Sequence, residues 1–230
     1  MTTTAPPAAS VKRIAIVDDH TMMREGVSTF IDNLDGFTTA WQAVDCADTI
    51  RQLEKDIPDV IMVDITLPDR NGLELIKDIR MLAPKLPILV LSMHDEKLYA
   101  PRALKAGAQG YLMKDAPHQD IERALRKISL GGMAVSEAMS ENILAVFSSG
   151  KPRSEEAELH ELSDREFEVF QMIGEGRSTH QIATILRISP KTVDVHRLKI
   201  RNKLRLGTGT GTELTAHAIR WIEMKKLAGS

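Results

Sequence analysis

Five polar side chains in the first half of the chain each stand at the end of a short apolar run, and their types suit phosphate chemistry. If the runs are parallel strands of one sheet, their carboxyl ends share one edge, where these side chains would meet. Three carboxylates, a hydroxyl and an ammonium gathered there could bind a metal ion and a phosphate group. The five residues are Asp18, Asp19, Asp64, Ser92 and Lys114.

The three carboxylates predict a divalent metal site. Ionised carboxylates within a few ångströms repel one another, so they stay charged at neutral pH only when a cation joins them. Carboxylate and carbonyl oxygens are hard ligands that suit Mg²⁺ or another divalent cation. We expect ligands from Asp18, Asp19 and Asp64, directly or through water, and from the backbone carbonyl of Thr66.

A metal-bound, exposed carboxylate is also a possible nucleophile towards phosphorus, and its product would be an aspartyl phosphate. Lys114 would neutralise charge on the phosphoryl oxygens, and the hydroxyl of Ser92 would donate a hydrogen bond to one of them. Any one of these residues alone is more often a turn residue or a solvated side chain. The prediction rests on the order in which all five follow apolar runs.

Strand and helix patterns alternate through residues 12–131. Five short apolar runs are typical of buried parallel strands, and the stretches between them carry apolar residues at helical spacing. We predict an open, doubly wound, five-stranded parallel sheet of the flavodoxin-like α/β class, because five repeats are too few for an eight-stranded barrel. Residues 1–11 are predicted to be a disordered tail, and residues 132–158 a linker with a possible short helix.

Composition places the chain among ordinary globular proteins. Of its 230 residues 43% are hydrophobic and 27% charged, which fits one large or two small domains. A single cysteine, Cys46, excludes an internal disulfide framework and fits a reducing cytoplasm. No apolar stretch approaches the roughly 20 residues of a membrane span, so we predict a cytoplasmic protein with no membrane partner.

Residues 159–226 show helical patterns only and hold 12 Lys/Arg against 8 Asp/Glu, whereas the rest of the chain holds 18 against 24. A capped short helix, a tight turn and a longer helix from Pro190 to about Leu204 predict a helix-turn-helix in an all-α domain. Six of the 12 basic residues lie at positions 191–205, beside one acidic residue. This concentration favours a DNA backbone contact over a merely solvated helix face.

These motifs resemble two known families. Residues 12–131 resemble the receiver domain of a two-component response regulator, and residues 159–226 resemble the LuxR-type DNA-binding domain. Together they look like a NarL/FixJ-type transcription factor. The receiver motifs are Val17-Asp18-Asp19-His20, Met62-Val63-Asp64-Ile65-Thr66-Leu67-Pro68, Leu91-Ser92 and Tyr111-Leu112-Met113-Lys114-Asp115. The LuxR-type motifs are Leu162-Ser163-Asp164-Arg165-Glu166, Ile182-Ala183 and Ser189-Pro190-Lys191-Thr192-Val193-Asp194-Val195-His196-Arg197.

The resemblance implies that Asp64 accepts a phosphoryl group from a sensor histidine kinase. Ser92 would be the switch hydroxyl and Tyr111 the switch aromatic, although Tyr111 could equally well fill an edge of the sheet. The phosphorylated chain would bind double-stranded promoter DNA as a homodimer, with half-sites roughly 10 bp apart. On this interpretation the protein is a regulator and not an enzyme.

The recognition helix offers two sets of DNA contacts. Asp194, Val195 and Leu198 point to where base edges should lie, and the two apolar ones could contact a thymine methyl group. The phosphate contacts are expected from Lys191, Thr192, His196, Lys199 and Lys203. His196 could equally be a packing residue. Residues 207–212, a Gly-Thr repeat, depart from the family pattern, which puts a side-chain contact from this loop in doubt.

Two other functions share parts of this pattern. A Mg²⁺-dependent phosphotransferase acting on small molecules would use the same carboxylates, but position 66, two residues beyond Asp64, is a threonine and not a second acid. A constitutive DNA-binding protein with a vestigial receiver would keep the helix-turn-helix without the switch. The sequence leaves open the cognate kinase, the target promoters, activation or repression, and the resting oligomeric state.

Overall fold

The computed structural model describes residues 11–137, 139–141, 159, 161–206 and 212–228, with side chains as far as residue 224 in the last range. The chain divides into two compact units, one up to Ile143 and one from Leu144. The predicted tail lies outside the described residues except for Val11, and so does most of the predicted linker. The finer domain limits therefore remain predictions.

The N-terminal unit is built on a five-stranded parallel sheet in the order β2-β1-β3-β4-β5. The central strands are wholly buried because helices cover both faces of the sheet, and this explains their unbroken apolar sequences. The prediction of an open, doubly wound sheet is confirmed. The strands are β1 (Lys12–Val17), β2 (Phe37–Ala43), β3 (Val60–Val63), β4 (Ile88–Ser92) and β5 (Gly110–Met113).

Five helices connect and follow these strands, and α1, α3 and α5 each bury a stripe of apolar residues. The last of them begins after Pro117, which is its N-cap residue. Gly131 follows this helix with φ of +83°, a conformation that glycine adopts without strain. The helices are α1 (Thr21–Asp32), α2 (Cys46–Leu53), α3 (Gly72–Leu82), α4 (Glu96–Ala106) and α5 (His118–Ser129).

Strand order reverses between β1 and β3, and the crevice of such a sheet lies beyond the carboxyl ends of these two strands. Val17 and Val63 are paired at the last position of the ladder. The next residue on each strand is Asp18 and Asp64, so the sheet register itself brings these two carboxylates together.

The loop between β3 and α3 is closed by short contacts that allow no side chain at Gly72. The Gly72 amide donates to the Ile65 carbonyl at 2.7 Å, and the Asn71 side chain caps α3 by accepting from the Leu73 amide at 2.8 Å. A methyl group on Gly72 would lie 2.1 Å from the Asp64 carbonyl oxygen, which is far inside van der Waals contact. The backbone of Asp64 is thus held by a glycine that is distant from it in sequence.

Four helices make up the described part of the C-terminal unit. Capping boxes at Ser163 and Ser178 begin the first two helices, and Ser189 with Pro190 begins the third, as the sequence predicts. The left-handed residue Arg187 makes the turn between the second and third helices. None of the helices in the described residues is long and apolar enough to cross a membrane. The helices are α6 (Asp164–Gly174), α7 (Thr179–Ile185), α8 (Pro190–Lys203) and α9 (Thr212–Ala228).

We predict that Gly72→Ala lowers the free energy of unfolding of the N-terminal unit by about 3 kcal/mol, because the added methyl group must push the Asp64 backbone away. Urea unfolding followed by Trp41 fluorescence, in a Trp221→Phe background, measures this change. Gly26→Ala is the matched control, since nothing lies within 4 Å of its added methyl group. It should stabilise α1 by roughly 0.5–1 kcal/mol. Equal effects of the two substitutions would contradict the steric argument.

Candidate functional site

An acidic cluster lies beyond the ends of β1 and β3. Ligand atoms of Asp18, Asp19, His20 and Asp64 lie within 4.8 Å of one another. The sheet register places Asp18 and Asp64, whose side chains are 5% and 3% exposed, and the following turn places the half-exposed Asp19 and the exposed His20 beside them. The structure therefore brings together the three carboxylates that the sequence predicts.

Lys114 closes the cluster from the end of β5. Its ammonium lies 2.6 Å from Asp18 Oδ2 and 2.8 Å from Asp64 Oδ2, and its side chain is only 3% exposed. The expectation of an exposed carboxylate is wrong for Asp64 in this structure, because its side chain is buried and paired with Lys114. The Lys114 amide donates to the Ser92 carbonyl at 2.8 Å, so the ladder between β4 and β5 positions this lysine.

One ammonium shared between two buried carboxylates explains the electrostatics of the site. Burial raises the pKa of Asp64, the nearby Lys114 opposes this, and the charge of Asp18 adds to the rise, so that the net pKa is raised. Burial lowers the pKa of Lys114, but the two carboxylates outweigh it and the net pKa is raised. The cation is fully paired, whereas each anion is only half paired.

This charge imbalance fits a divalent cation. With Lys114 ionised, the buried pair Asp18 and Asp64 keeps one negative charge, and Asp19 adds another at the surface. The ligand atoms are hard oxygens, as Mg²⁺ prefers. The Thr66 amide donates to Asp64 Oδ1 at 3.2 Å, which holds the loop that carries the fourth predicted ligand, the Thr66 carbonyl.

Ser92 and Tyr111 belong to one hydrogen-bonded network beside the cluster. Ser92 is fully buried, and its Oγ accepts from the His94 amide at 3.2 Å. The Tyr111 hydroxyl donates to the His94 carbonyl at 2.7 Å. The two residues predicted to form the switch are thus connected through the backbone of one residue, His94.

Sequence reasoning assigned no role to His94 or His20. The His94 ring stacks on Tyr99 with centroids 4.3 Å apart, and its Nε2 lies 3.1 Å from Thr66 Oγ1. Burial, and then the charge of Lys114, lowers the pKa of His94 to about 4, so the ring is neutral at pH 7. His20 Nδ1 lies 2.8 Å from Asp19 Oδ1. The one available signal was position, since each histidine stands within two residues of a predicted site residue.

Helix α8 of the C-terminal unit buries one apolar stripe and exposes its other side. Val193 and Ile200 are fully buried, and Leu204 is 5% exposed. Val195 and Leu198 are 45% and 56% exposed, so both side chains are accessible to a partner. The polar members of the predicted DNA-contact set are all exposed or partly exposed in α8, and they are Lys191, Thr192, Asp194, His196, Lys199 and Lys203.

Two of the residues predicted to contact DNA also lie against other residues of the same domain. The Lys203 ammonium lies 2.7 Å from Oε2 of Glu166, a buried residue of α6, so this lysine holds α8 against α6. His196 is partly buried, and its Nδ1 has no hydrogen-bond partner among the described residues. Burial, Arg165 and Lys199 lower the pKa of His196, so its ring is neutral. Roles in DNA contact remain predictions for both residues.

Comparison with known proteins agrees with this architecture. The model of the response regulator receiver domain matches residues 14–126, and that of the bacterial regulatory proteins of the luxR family matches residues 160–213. The transcriptional regulatory protein DegU of Brevibacillus brevis is 30% identical over 226 residues, which cover 93% of this chain and 96% of the relative. The nitrate/nitrite response regulator protein NarL of Escherichia coli K12 is 31% identical over 209 residues, which cover 90% and 95%.

The chain belongs to the response regulator family. It carries a receiver domain and a LuxR-type helix-turn-helix domain, and it regulates transcription in a phosphorylation-dependent way with a histidine kinase as partner. These expectations from the sequence are confirmed at the level of the family. The roles of individual site residues, and of residues 207–211 outside the described part of the chain, remain predictions.

Solved structures support the same fold. A two-component response regulator of the LuxR family from Aurantimonas sp. SI85-9A1 is 32% identical with a TM-score of 0.56, covering 59% of this chain and 97% of that chain. RcsB of Salmonella enterica serovar Typhimurium, bound to promoter P1flhDC with phosphomimetic BeF3-, is 24% identical with a TM-score of 0.61, covering 91% and 98%. The likeness to RcsB concerns the fold alone.

We predict that Asp64→Asn raises the free energy of unfolding of the receiver domain at pH 7, without divalent cations, by roughly 1 kcal/mol. The reason is that the raised pKa of Asp64 makes ionisation costly in the folded state only. The penalty is complete above the folded pKa and disappears as pH falls below the unfolded value near 3.8, where the two proteins should be equally stable.

Urea unfolding at several pH values measures this difference. Asp19→Asn is the matched control, because it makes the same change at a carboxylate that is 34% exposed. A loss of stability in Asp64→Asn at pH 7 would mean that pairing with Lys114 outweighs burial.

Proposed function

We propose that this response regulator accepts a phosphoryl group on Asp64 from a sensor histidine kinase, with Mg²⁺ bound by Asp18, Asp19, Asp64 and the Thr66 carbonyl. The observation that carries the proposal is the buried pair of carboxylates that share Lys114 at the switch point of the sheet. Bound Mg²⁺ would supply charge neutralisation between the carboxylate and the incoming phosphoryl oxygens.

Three side chains of the receiver domain have separate roles in the proposed phosphoryl transfer. Asp64 supplies the attacking carboxylate oxygen, and the Thr66 amide at 3.2 Å orients that carboxylate. Lys114 already lies 2.8 Å from Asp64 Oδ2, so it can follow the negative charge from the carboxylate to the phosphoryl group. The Ser92 hydroxyl is then a donor to a phosphoryl oxygen, which would draw it away from the His94 amide.

The output is binding of promoter DNA by α8, with the protein as a dimer on half-sites roughly 10 bp apart. Exposed Val195 and Leu198 beside exposed lysines support a major-groove contact. Solved structures of similar fold include two RcsB dimers bound to two parallel DNAs. A small-molecule phosphotransferase has less support, because the position two residues beyond Asp64 is Thr66, whose hydroxyl lies 3.1 Å from the His94 ring.

We predict that Asp64→Ala abolishes phosphoryl incorporation from acetyl phosphate and Mg²⁺, and that a chelator does the same to the unaltered protein. Slower migration of the phosphorylated protein in a phosphate-binding gel measures the incorporation, and mass spectrometry of the labelled peptide locates it. Asp115→Asn is the matched control and should label normally, because this exposed residue lies next to Lys114 but outside the acidic cluster.

Labelling of Asp64→Ala at the normal level would refute Asp64 as the acceptor. Equal DNA affinity of the labelled and unlabelled protein would instead favour a constitutive DNA-binding protein.

Substitutions at two lysines of α8 should distinguish an effect on DNA binding from an effect on domain stability. We predict that Lys199→Met weakens DNA binding and lowers the slope of log affinity against log salt by about one per protomer, without loss of stability. Lys203→Met should destabilise the helix-turn-helix domain by roughly 1 kcal/mol, since its partly exposed bridge to Glu166 is lost, and its slope decides whether this lysine also contacts phosphate.

Fluorescence anisotropy with labelled DNA over a salt series measures the slopes. Urea unfolding followed by Trp221, in a Trp41→Phe background, measures the stabilities. A reduced slope for Lys203→Met would make Lys203 a phosphate contact after all.

A further inference from the structure

The chain that follows α5 returns to the sheet and covers the free edge of β5. The Tyr111 amide donates to the Ala134 carbonyl at 2.8 Å, and the Ala134 amide donates to the Gln109 carbonyl at 2.9 Å. Ala134 is 6% exposed and belongs to the main hydrophobic core. We call residues 134–136 the linker clamp, because the predicted linker passes through them.

A second attachment joins the linker clamp to α4. The Ser136 amide donates to Oε1 of Glu96, in the first turn of α4, at 3.0 Å. Ser136 also starts a helical turn, since its Oγ accepts from the Met139 amide at 3.1 Å. The beginning of the linker is therefore bound both to β5 and to α4.

The contact with β5 depends on a glycine. A methyl group on Gly110 would lie 2.9 Å from the Ala134 carbonyl oxygen and 2.7 Å from Leu89 Cδ1. Only a residue without a side chain lets the two backbones approach this closely. A glycine at position 110 and a small residue at position 134 are thus matched to each other.

The linker clamp is the last member of a chain of contacts that begins at the phosphorylation site. Ser92 Oγ accepts from the His94 amide, and the His94 carbonyl accepts from the Tyr111 hydroxyl. The Tyr111 amide then donates to Ala134. His94 also stands two residues before Glu96, so one short loop reaches both attachments of the clamp.

Space for a rearrangement lies beside this chain of contacts. A cavity of about 330 Å³ is bounded by β5, by α5 and by residues of the linker clamp. Tyr111, Glu96, Ala134 and Ser136 all line it. This cavity therefore leaves open space beside the linker clamp.

We propose that the linker clamp is a switch that reads the state of Asp64. The proposal rests on the proposed function. When Ser92 turns to the phosphoryl group, it leaves the His94 amide, the loop that holds Tyr111 and Glu96 moves, and both attachments of the clamp weaken. The free linker then begins after α5 instead of after residue 136, which gives the DNA-binding domain a longer tether. One state has both attachments formed and the other has both weakened. These two states form the bistable element that such coupling requires.

Amide hydrogen exchange of the full chain, with and without beryllofluoride and Mg²⁺, tests this proposal. We expect the amides of Ala134 and Ser136 to exchange about tenfold faster with the phosphoryl mimic. Glu96→Ala should make the Ser136 amide exchange fast without the mimic, and the mimic should add little. Glu137→Ala is the matched control, because it removes an exposed neighbouring carboxylate that is not the acceptor of the Ser136 amide, and it should behave like the unaltered protein.

Labelling of Asp64 by acetyl phosphate is measured on portions of the same preparations that hold no beryllofluoride, so that the two proposals can fail separately. Unchanged exchange at Ala134 and Ser136 in a protein that labels on Asp64 would overturn the linker clamp and leave the proposed function standing. Absence of labelling would overturn both. Fast exchange at Ser136 in the unaltered protein without the mimic would overturn the clamp alone.

Discussion

The receiver domain depends on one unequal ion pairing, in which a single buried ammonium serves two buried carboxylates. Lys114 lies within 2.8 Å of both Asp18 and Asp64, so the cation is satisfied while the anions share it. Such a site is less stable than a balanced pair, because burial disfavours every charge that lacks a full partner. The unmet negative charge is also the feature on which the proposed Mg²⁺ site and the proposed reaction at Asp64 rest.

Parallel strand geometry makes this imbalance possible. Side chains that follow β1, β3, β4 and β5 meet at one edge because all four strands end there. The same geometry forces close backbone approaches, at Gly72 beside Asp64 and at Gly110 beside Ala134. The two glycines therefore hold the loop that follows Asp64 and the segment at Ala134 at distances that no side chain would allow.

The sequence predicted the strands and helices, which depend on local periodicity. It did not predict the burial and pairing of side chains, which depend on contacts between residues far apart in the chain. Five strands and the shared edge follow from apolar runs and their spacing. The burial of Asp64 does not, because it depends on Lys114, 50 residues away. The bonds of Lys203 to Glu166 and of His94 to Thr66 span 37 and 28 residues, and no local pattern indicates either of them. The spacing of basic residues on α8 alone does not show that Lys203 also bridges to Glu166.

The two domains use charge in opposite ways, and this difference suits their tasks. The receiver domain gathers carboxylates in a buried place, where low polarity strengthens each interaction and a single added phosphoryl group changes the balance. The helix α8 places lysines at the surface, where solvent and salt screen each one, so that affinity for a polyanion depends on their number. The buried receiver site holds few charges, so one added phosphoryl group changes its electrostatic energy strongly. The surface of α8 holds many charges, so its DNA affinity depends on how readily two copies of the helix reach the DNA. Phosphorylation can act on the surface of α8 by changing its freedom to move or to pair, and the proposed linker clamp would control the first of these.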